Sequence, residues 1–421
     1  MTRLYTRAPV LAWATYDWAN SGFTTTVMAG FFPMFFKQFW SLGTEPTVST
    51  FRLGVANAIA GLAVALLAPL LGAIADRGGA RKRFLIIWSL IGIAATAGLH
   101  FVQRGEWAAA AALFVTATAG YMGANVFNDA LMLDVAQESE LDRVSAFGFA
   151  LGYLGGGLLF AFNVLMLSKP SWFGLAGAAA AVQLSFLFVA AWWFLFMLPL
   201  AFYVHERRSG PKLAVASAIR AGLRELGSTI RHVAQFREVV LFLIAYWLYI
   251  DAVNTIVKMA VDYGLALGLP ASSLLLALLL TQFVAFPAAL GFGWIGGRLG
   301  AKRGILIGLC VYTLATCYAY FLNSVREFFA LAVVIGLVQG GVQSLSRSLF
   351  GRLVPQGKSA EFFGFYNMMG KFATVLGPLL IGVTALLTGS SRGAIVSLVL
   401  LFVVGGVMLL GVPERRAAAR P

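Results

Sequence analysis

The chain has 421 residues, of which 60% are hydrophobic and 11% charged, with 35 Phe, 10 Trp and a mean hydropathy of +0.84. Soluble domains run at about half apolar and a quarter charged, so this composition excludes a water-soluble enzyme and a disordered chain and implies a polytopic membrane protein. The net charge of +14 would suggest nucleic acid as a partner of a soluble protein, but here the basic residues sit in short segments between apolar runs and report topology instead.

Arg3 and Arg7 precede an apolar run near 9 to 36 that carries Asp17 and Asn20 and no small-residue cleavage site, so it reads as a first span rather than a secretory leader. Runs near 51 to 75, 84 to 103, 107 to 134, 144 to 167 and 173 to 204 complete a set of six. A polar stretch over 205 to 237 follows, with Ile219, Leu223, Leu226, Ile230 and Val233 on one helical face and Arg220, Arg224 and Arg231 elsewhere. That pattern predicts an amphipathic helix that lies on the cytoplasmic membrane surface or packs on the bundle. A second set of six runs lies near 238 to 263, 271 to 295, 304 to 322, 327 to 349, 361 to 387 and 393 to 412. Crossing a bilayer takes about 20 apolar residues, so twelve spans with short loops fit the length. With both termini placed in the cytoplasm, 22 Lys and Arg fall on inner segments and six on outer ones, the bias expected for that orientation.

The two sets repeat one another. Trp13, Asp17 and Asn20 recur as Trp247, Asp251 and Asn254; the 74–81 segment recurs at 295–302; Phe147-Gly148-Phe149 recurs as Phe363-Gly364-Phe365. Duplication in parallel orientation predicts an all-α membrane protein with the major facilitator fold: twelve transmembrane helices in two pseudo-symmetric six-helix halves, 1–204 and 238–421, joined by the 205–237 linker.

Charges well inside spans need a partner or a wet cavity, which makes them the functional candidates. Asp17 and Asn20 share a helix face; Asp251 and Asn254 repeat it, and Lys258 extends the second face. Facing a cavity, these carboxylates can take up a proton or bind a cationic group while the amides orient a substrate; otherwise they fix helix packing. Asn128 and Asp129 lie on the fourth span beside the same alternatives, and Asp134, nearer its end, is expected to reach water. Gln343 and Arg347 align on the tenth span, where Arg347 either joins this stripe or snorkels to the interface. Lys371, near mid-membrane in the eleventh span, is the leading buried cation, with Asp17, Asp129, Asp251 or an anionic substrate as its partner. Two cysteines, Cys310 and Cys317, and three histidines without ligand spacing give no basis for a disulfide framework, a metal site or a cofactor.

The segment from Gly72 through Asp76, Arg77, Gly79 and Arg81 resembles the loop motif of the major facilitator superfamily between its second and third helices, which implies a cytoplasmic gate. Ala80 stands where a basic residue is usual, and the second copy has Gly297 in place of the acid, beside Arg298. Along most of its length the chain further resembles the vacuole-effluxer-like, "unknown major facilitator", family. The resemblance rests on Tyr16-Asp17-Trp18-Ala19-Asn20-Ser21, Val126-Phe127-Asn128-Asp129-Ala130-Leu131, Arg143-Val144-Ser145, Tyr249-Ile250-Asp251-Ala252-Val253-Asn254, Gly340-Gly341-Val342-Gln343-Ser344-Leu345-Ser346-Arg347-Ser348 and Ala360-Glu361-Phe362-Phe363-Gly364-Phe365-Tyr366. Fungal members are associated with release of neutral amino acids from the vacuole.

These readings together predict a monomeric, proton-coupled secondary transporter of the bacterial inner membrane that moves a small polar metabolite, with no enzymatic activity. Asp17 and Asp251 would carry protons or bind a substrate amine, and Asp251→Asn would abolish coupled transport. A lipid flippase or drug exporter of the same fold, and a non-transporting receptor, are the alternatives.

Overall fold

The computed structural model describes residues 2–44, 52, 55–56, 59–60, 62, 68–76, 80–206, 217, 220–221, 224, 227–229, 231, 233–373, 376–388 and 391–413. We number the helices α1 (Ala8–Gly22), α2 (68–76), α3 (Arg81–Gly98), α4 (Trp107–Val135), α5 (Leu141–Ser168) and α6 (Ala178–Tyr203). The second half holds α7 (Arg237–Ala266), α8 (Ala271–Leu299), α9 (Ala301–Ala319), α10 (Val325–Leu353), α11 (Ser359–Phe372, then Leu376–Thr388) and α12 (Leu398–Leu410, preceded by Ser391–Val396). This is the major facilitator fold. Among the described residues, eight helices are long and apolar enough to cross a membrane.

The remaining spans fall short for identifiable reasons. Beyond Gly22 the first span widens into a π-helical stretch, Phe23–Phe31, turns α again at Phe32–Phe35 and widens once more at Phe36–Trp40. The Thr24 and Thr25 hydroxyls both donate to the Ser21 carbonyl, and Pro33 has no N–H to give, so the regular ladder is contested from both sides. Much of the second span lies outside the described residues. The ninth opens on Lys302 and Arg303, and the eleventh is made of two helical stretches.

The charged flanks are drawn into helix ends, so α3, α5, α9 and α10 each begin two or three residues before the apolar runs do. Gly300, at φ 96, makes the one-residue link from α8 to α9, a conformation open to glycine at no steric cost. Leu314, Leu387, Val407 and Leu400 are exposed, as expected of side chains that face lipid. The two halves meet where α5 packs along α8 and α10 and where α11 packs on α4.

The repeat is visible in the chemistry of helix ends. Lys82 Nζ donates to the carbonyls of Ala201 and Val204 at the end of α6 (3.0 and 2.9 Å), and Lys302 Nζ to those of Leu410 and Val412 at the end of α12 (2.6 and 2.8 Å). A cation there satisfies orphan carbonyls and opposes the helix dipole. The structure thus pairs Lys82 with Lys302, one residue off the register in which the sequence aligns Arg81 with Lys302. We expect Lys82→Ala and Lys302→Ala each to cost about 1 kcal/mol of stability in detergent thermal unfolding. An unchanged melting temperature in both would refute the capping role.

The last part of the linker meets the second half near the start of α11. Thr229, buried, accepts a hydrogen bond from Lys358 Nζ (2.9 Å) just ahead of α11, and Phe236 lies beneath the same ammonium. Ile219, Leu223, Leu226 and Ile230 lie outside the described residues.

Candidate functional site

Arg347 is the centre of the site. It stands six residues before the end of α10, is 3% exposed, and uses all five of its N–H groups. Nη1 donates to Asp17 Oδ2 and Asp129 Oδ1 (both 3.1 Å), and Nη2 to Asp17 Oδ2 (3.2 Å) and the Ser145 carbonyl (2.9 Å). Nε donates to Ser145 Oγ (2.9 Å). The guanidinium also lies over Phe149 and Trp13, 4.2 and 4.9 Å from their ring centres. An arginine from the second half is therefore bound by α1, α4 and α5 of the first. This corrects the snorkelling expectation: the guanidinium has carboxylates within reach and no need of the interface.

The carboxylates are bound in turn. Asn128 Nδ2 donates to Asp17 Oδ1 (3.0 Å), and Asn367 Nδ2, on α11, donates to Asp129 Oδ2 (2.9 Å). Trp13 Nε1 donates to the Asn128 carbonyl (2.8 Å) and fastens α1 to α4. Gly148 makes the cluster possible, because a Cβ there would collide with Asp17 Oδ2 and crowd Arg347 and Trp13.

Toward the nearer end of the bundle, a second layer of cross-half contacts closes the structure. Arg352 holds Asp142 in a bidentate pair (both bonds 2.8 Å), and Ser348 Oγ donates to the same carboxylate (2.5 Å). On the other side, Asp76 accepts from the Ala360 and Glu361 amides (3.1 and 3.0 Å) at the first turn of α11, where a negative charge is favoured. Arg81 bridges Asp76 (2.6 Å) and Asp134 (3.0 Å), and a Cβ at Gly72 would strike the Ala360 carbonyl. Asp134 is therefore buried in an ion pair and does not reach water. Arg298, expected at the gate, is exposed and stacks on Trp294 at 4.0 Å; with Gly297 in place of an acid, the second-half side closes through Asp142 and Arg352 instead. Arg77 and Gly79 lie outside the described residues.

Toward the opposite end lie contacts between uncharged side chains. Asn20 donates to Asn125 (2.7 Å), Tyr153 on α5 donates to Gln343 on α10 (2.6 Å), and Gln282 on α8 donates to Thr25 of the first span (3.3 Å). The Gln339 Oε1, one turn along from Gln343, is buried with no hydrogen-bond partner among the described residues.

The structure does not bring Asp251 and Asn254 to this cluster. Asp251, fully buried, accepts from the Leu376 and Gly377 amides (2.8 and 2.9 Å) and from Thr255 Oγ1 (3.2 Å), while Asn254 donates to the Ala373 carbonyl (3.1 Å). The pair clasps the end of one stretch of α11 and the start of the next. Lys258 is on α7 and Lys371 on α11, but their side chains lie outside the described residues; among the described side chains, Arg347 is the cation that meets Asp17 and Asp129. Sequence reasoning missed Ser145, Asn367, Tyr153, Asp142 and Arg352 as site residues.

A family model described as vacuole effluxer Atg22 like matches residues 5–141 and 132–420. The chain is similar to the MFS-type transporter YxiO of Bacillus subtilis (strain 168), at 41% identity over 96% of this chain and 94% of that protein. It is similar to autophagy-related protein 22-1 of Penicillium rubens at 27% identity, over 64% of this chain and 48% of the fungal protein. Among solved structures, the proton:xylose symporter XylE superposes with a TM-score of 0.76 at 12% identity, covering 99% of this chain and 98% of that one. FucP in its outward conformation superposes with a TM-score of 0.74 at 12% identity, over 98% and 99%.

Proposed function

The chain belongs to the Atg22-like vacuole effluxer family within the major facilitator superfamily, and from that premise we propose a proton-coupled secondary transporter that exports small polar metabolites, neutral amino acids among them. Its homologues and structural neighbours are transporters rather than enzymes. The observation that carries the reading is the buried ion cluster across the two halves, in which Arg347 is held by Asp17 and Asp129.

Such a cluster acts as a lock. Among the described residues, Arg347 is shared by two carboxylates in a low-dielectric interior, so protonation of one of them leaves the other to hold the cation. Protonation of one carboxylate weakens its hold on Arg347 and lets the halves part at this end. Because all five guanidinium donors are occupied, Arg347 serves closure here, and the substrate site is assigned to the amides and hydroxyls beyond it: Asn20, Asn125, Gln343 and Gln339. These groups suit an uncharged or zwitterionic ligand. The inner-segment charge bias supports a locked end that faces the cytoplasm, and the bacterial relative supports an inner-membrane location; on that reading the structure corresponds to a state closed toward the cytoplasm. We take the monomer as the working unit.

The test is proton movement in proteoliposomes carrying a pH-sensitive dye, on addition of a panel of neutral amino acids. Saturable, substrate-triggered proton flux is expected from one chemical class. Solute flux with no accompanying proton movement would overturn the coupling, and absence of flux with every amino acid would overturn the substrate class.

A further inference from the structure

We propose that Asn125 and Gln343, equivalent residues of the two halves, form the subsite that takes a carboxylate of the transported molecule, and that Asn20 and Tyr153 are positioning residues that set the orientation of the two amides. The inference rests on the substrate site assigned above and gives that site a ligand chemistry.

Gln343 follows Asn125 by the same 218 residues that separate Arg347 from Asp129. Each amide therefore stands one turn from a member of the lock, toward the opposite end, on two helices that the lock holds together. Burial singles out the same two positions. From Met122 to Met132 every residue of α4 is buried except Asn125, and from Val338 to Gly351 every residue of α10 is buried except Gln343. Neither faces lipid, since Asn125 is bonded from α1 and Gln343 from α5. The two amides therefore border the space between the halves, directly beyond the lock.

Their hydrogen bonds fix which end of each amide meets that space. Asn20 donates to Asn125 Oδ1 (2.7 Å) and Tyr153 donates to Gln343 Oε1 (2.6 Å), so both carbonyl oxygens are engaged and the pair presents its NH2 groups. An amide nitrogen carries two N–H groups, so where the Tyr121 hydroxyl beside Asn125 takes one, the other is left for a ligand. Tyr153 is itself seated by a glycine: a Cβ at Gly340 would stand 2.9 Å from its ring. N–H donors on two facing walls match a group that has two acceptor oxygens and no hydrogen, which is a carboxylate. An ammonium in the same place would meet N–H against N–H.

Binding is read as the rise in melting temperature of the purified protein in detergent, a readout that needs neither flux nor a proton gradient. The probes are neutral amino acids and, for each, the amine that lacks the carboxyl group, the acid that lacks the amino group, and the carboxamide of that acid; for leucine these are isopentylamine, isocaproate and isocaproamide. The amino acid and the acid are expected to stabilise the protein and the amine is not. The acid should half-saturate about tenfold below its carboxamide, the worth of one hydrogen bond to a charged group. Asn125→Leu and Gln343→Met should each raise the half-saturating concentration of the acid by about tenfold. Tyr153→Phe keeps the ring on Gly340 and frees the Gln343 amide to turn over, so the preference for acid over carboxamide should shrink toward one; Asn20→Ala should do the same through Asn125. Thr25→Val removes the nearby cross-half bond to Gln282 without touching either amide, and should leave the preference intact. Stabilisation by the amine equal to that by the acid would overturn the proposal, as would an acid whose binding ignores both Asn125→Leu and Gln343→Met. A preference unmoved by Tyr153→Phe and Asn20→Ala would overturn their positioning role. If no carboxylate of any kind stabilises the protein, the subsite falls; if deaminated acids do and amino acids do not, the subsite stands and the substrate class proposed above falls.

Discussion

Arg347→Gln is expected to abolish transport, by about 100-fold or more, and to lower the stability of the purified protein. Removal of one partner from a buried ion cluster costs roughly 3–5 kcal/mol, because the charges left behind have lost their compensation. Here two carboxylates, Asp17 and Asp129, would remain without their shared cation. Arg347→Lys should restore little: a lysine has three N–H groups on one atom, whereas the site presents Asp17, Asp129, the Ser145 hydroxyl and the Ser145 carbonyl along the edges of a planar fork. Combining Arg347→Gln with Asp17→Asn removes a charge of each sign and is expected to recover most of the lost melting temperature without recovering flux. Two measurements on each protein decide the matter, thermal unfolding in detergent and flux in proteoliposomes. Flux in Arg347→Gln close to that of the unaltered protein would remove the lock from the mechanism. Failure of the double variant to regain stability would show that Arg347 holds the fold through packing on Trp13 and Phe149 rather than through charge.

The partner of Arg347 was within reach of the sequence in a way that single-residue reasoning did not use. The helices α4 and α10 both have 29 residues, and Asp129 and Arg347 each stand six residues from the end, Asp129 before Val135 and Arg347 before Leu353. They are equivalent positions of the repeat, 218 apart, carrying opposite charges. Asp134 and Arg352, each one residue from its helix end, are likewise equivalent positions of opposite charge, although each bonds elsewhere, Asp134 to Arg81 and Arg352 to Asp142. A pseudo-two-fold axis brings equivalent positions of α4 and α10 face to face, where identical ionised residues would repel and opposite ones attract. A repeat traced through identical residues passes over this charge inversion. The fold itself was legible, because twelve apolar runs and a parallel repeat permit few other arrangements in a bilayer. Asn367 and Ser145 were not legible. An amide or a hydroxyl on an apolar helix carries no sign of its partner, and those partners lie 238 and 202 residues away.

The clearest divergence between sequence and structure concerns Asp251, and the expected behaviour of its variants follows from the geometry. As the repeat of Asp17, it is the natural second proton carrier, and Asp251→Asn would then abolish coupling. In the structure its two oxygens meet the first two amides of the outer stretch of α11, Leu376 and Gly377, and a Cβ at Gly377 would crowd the same carboxylate. Those amides have no partner within their own helix, and at a helix N-terminus they are the positive end of the dipole, so a carboxylate there is a cap. In a bilayer no water replaces it. Asp251→Asn keeps one acceptor oxygen and turns an NH2 group toward the second amide, a loss of about 1–3 kcal/mol. That variant should still transport, with its pH profile unshifted. Asp251→Leu leaves both amides bare and should lose more stability, with little folded protein recovered. Asp17, by contrast, caps nothing: its bonds are to Arg347 and Asn128, which makes it free to change state when the halves separate. Flux and its pH dependence in Asp251→Asn, measured beside Asp129→Asn, decide between the two roles. If Asp251→Asn folds, binds its place in the membrane normally and yet loses proton-linked flux, the cap is also a carrier, and the lock at Arg347 does not act alone.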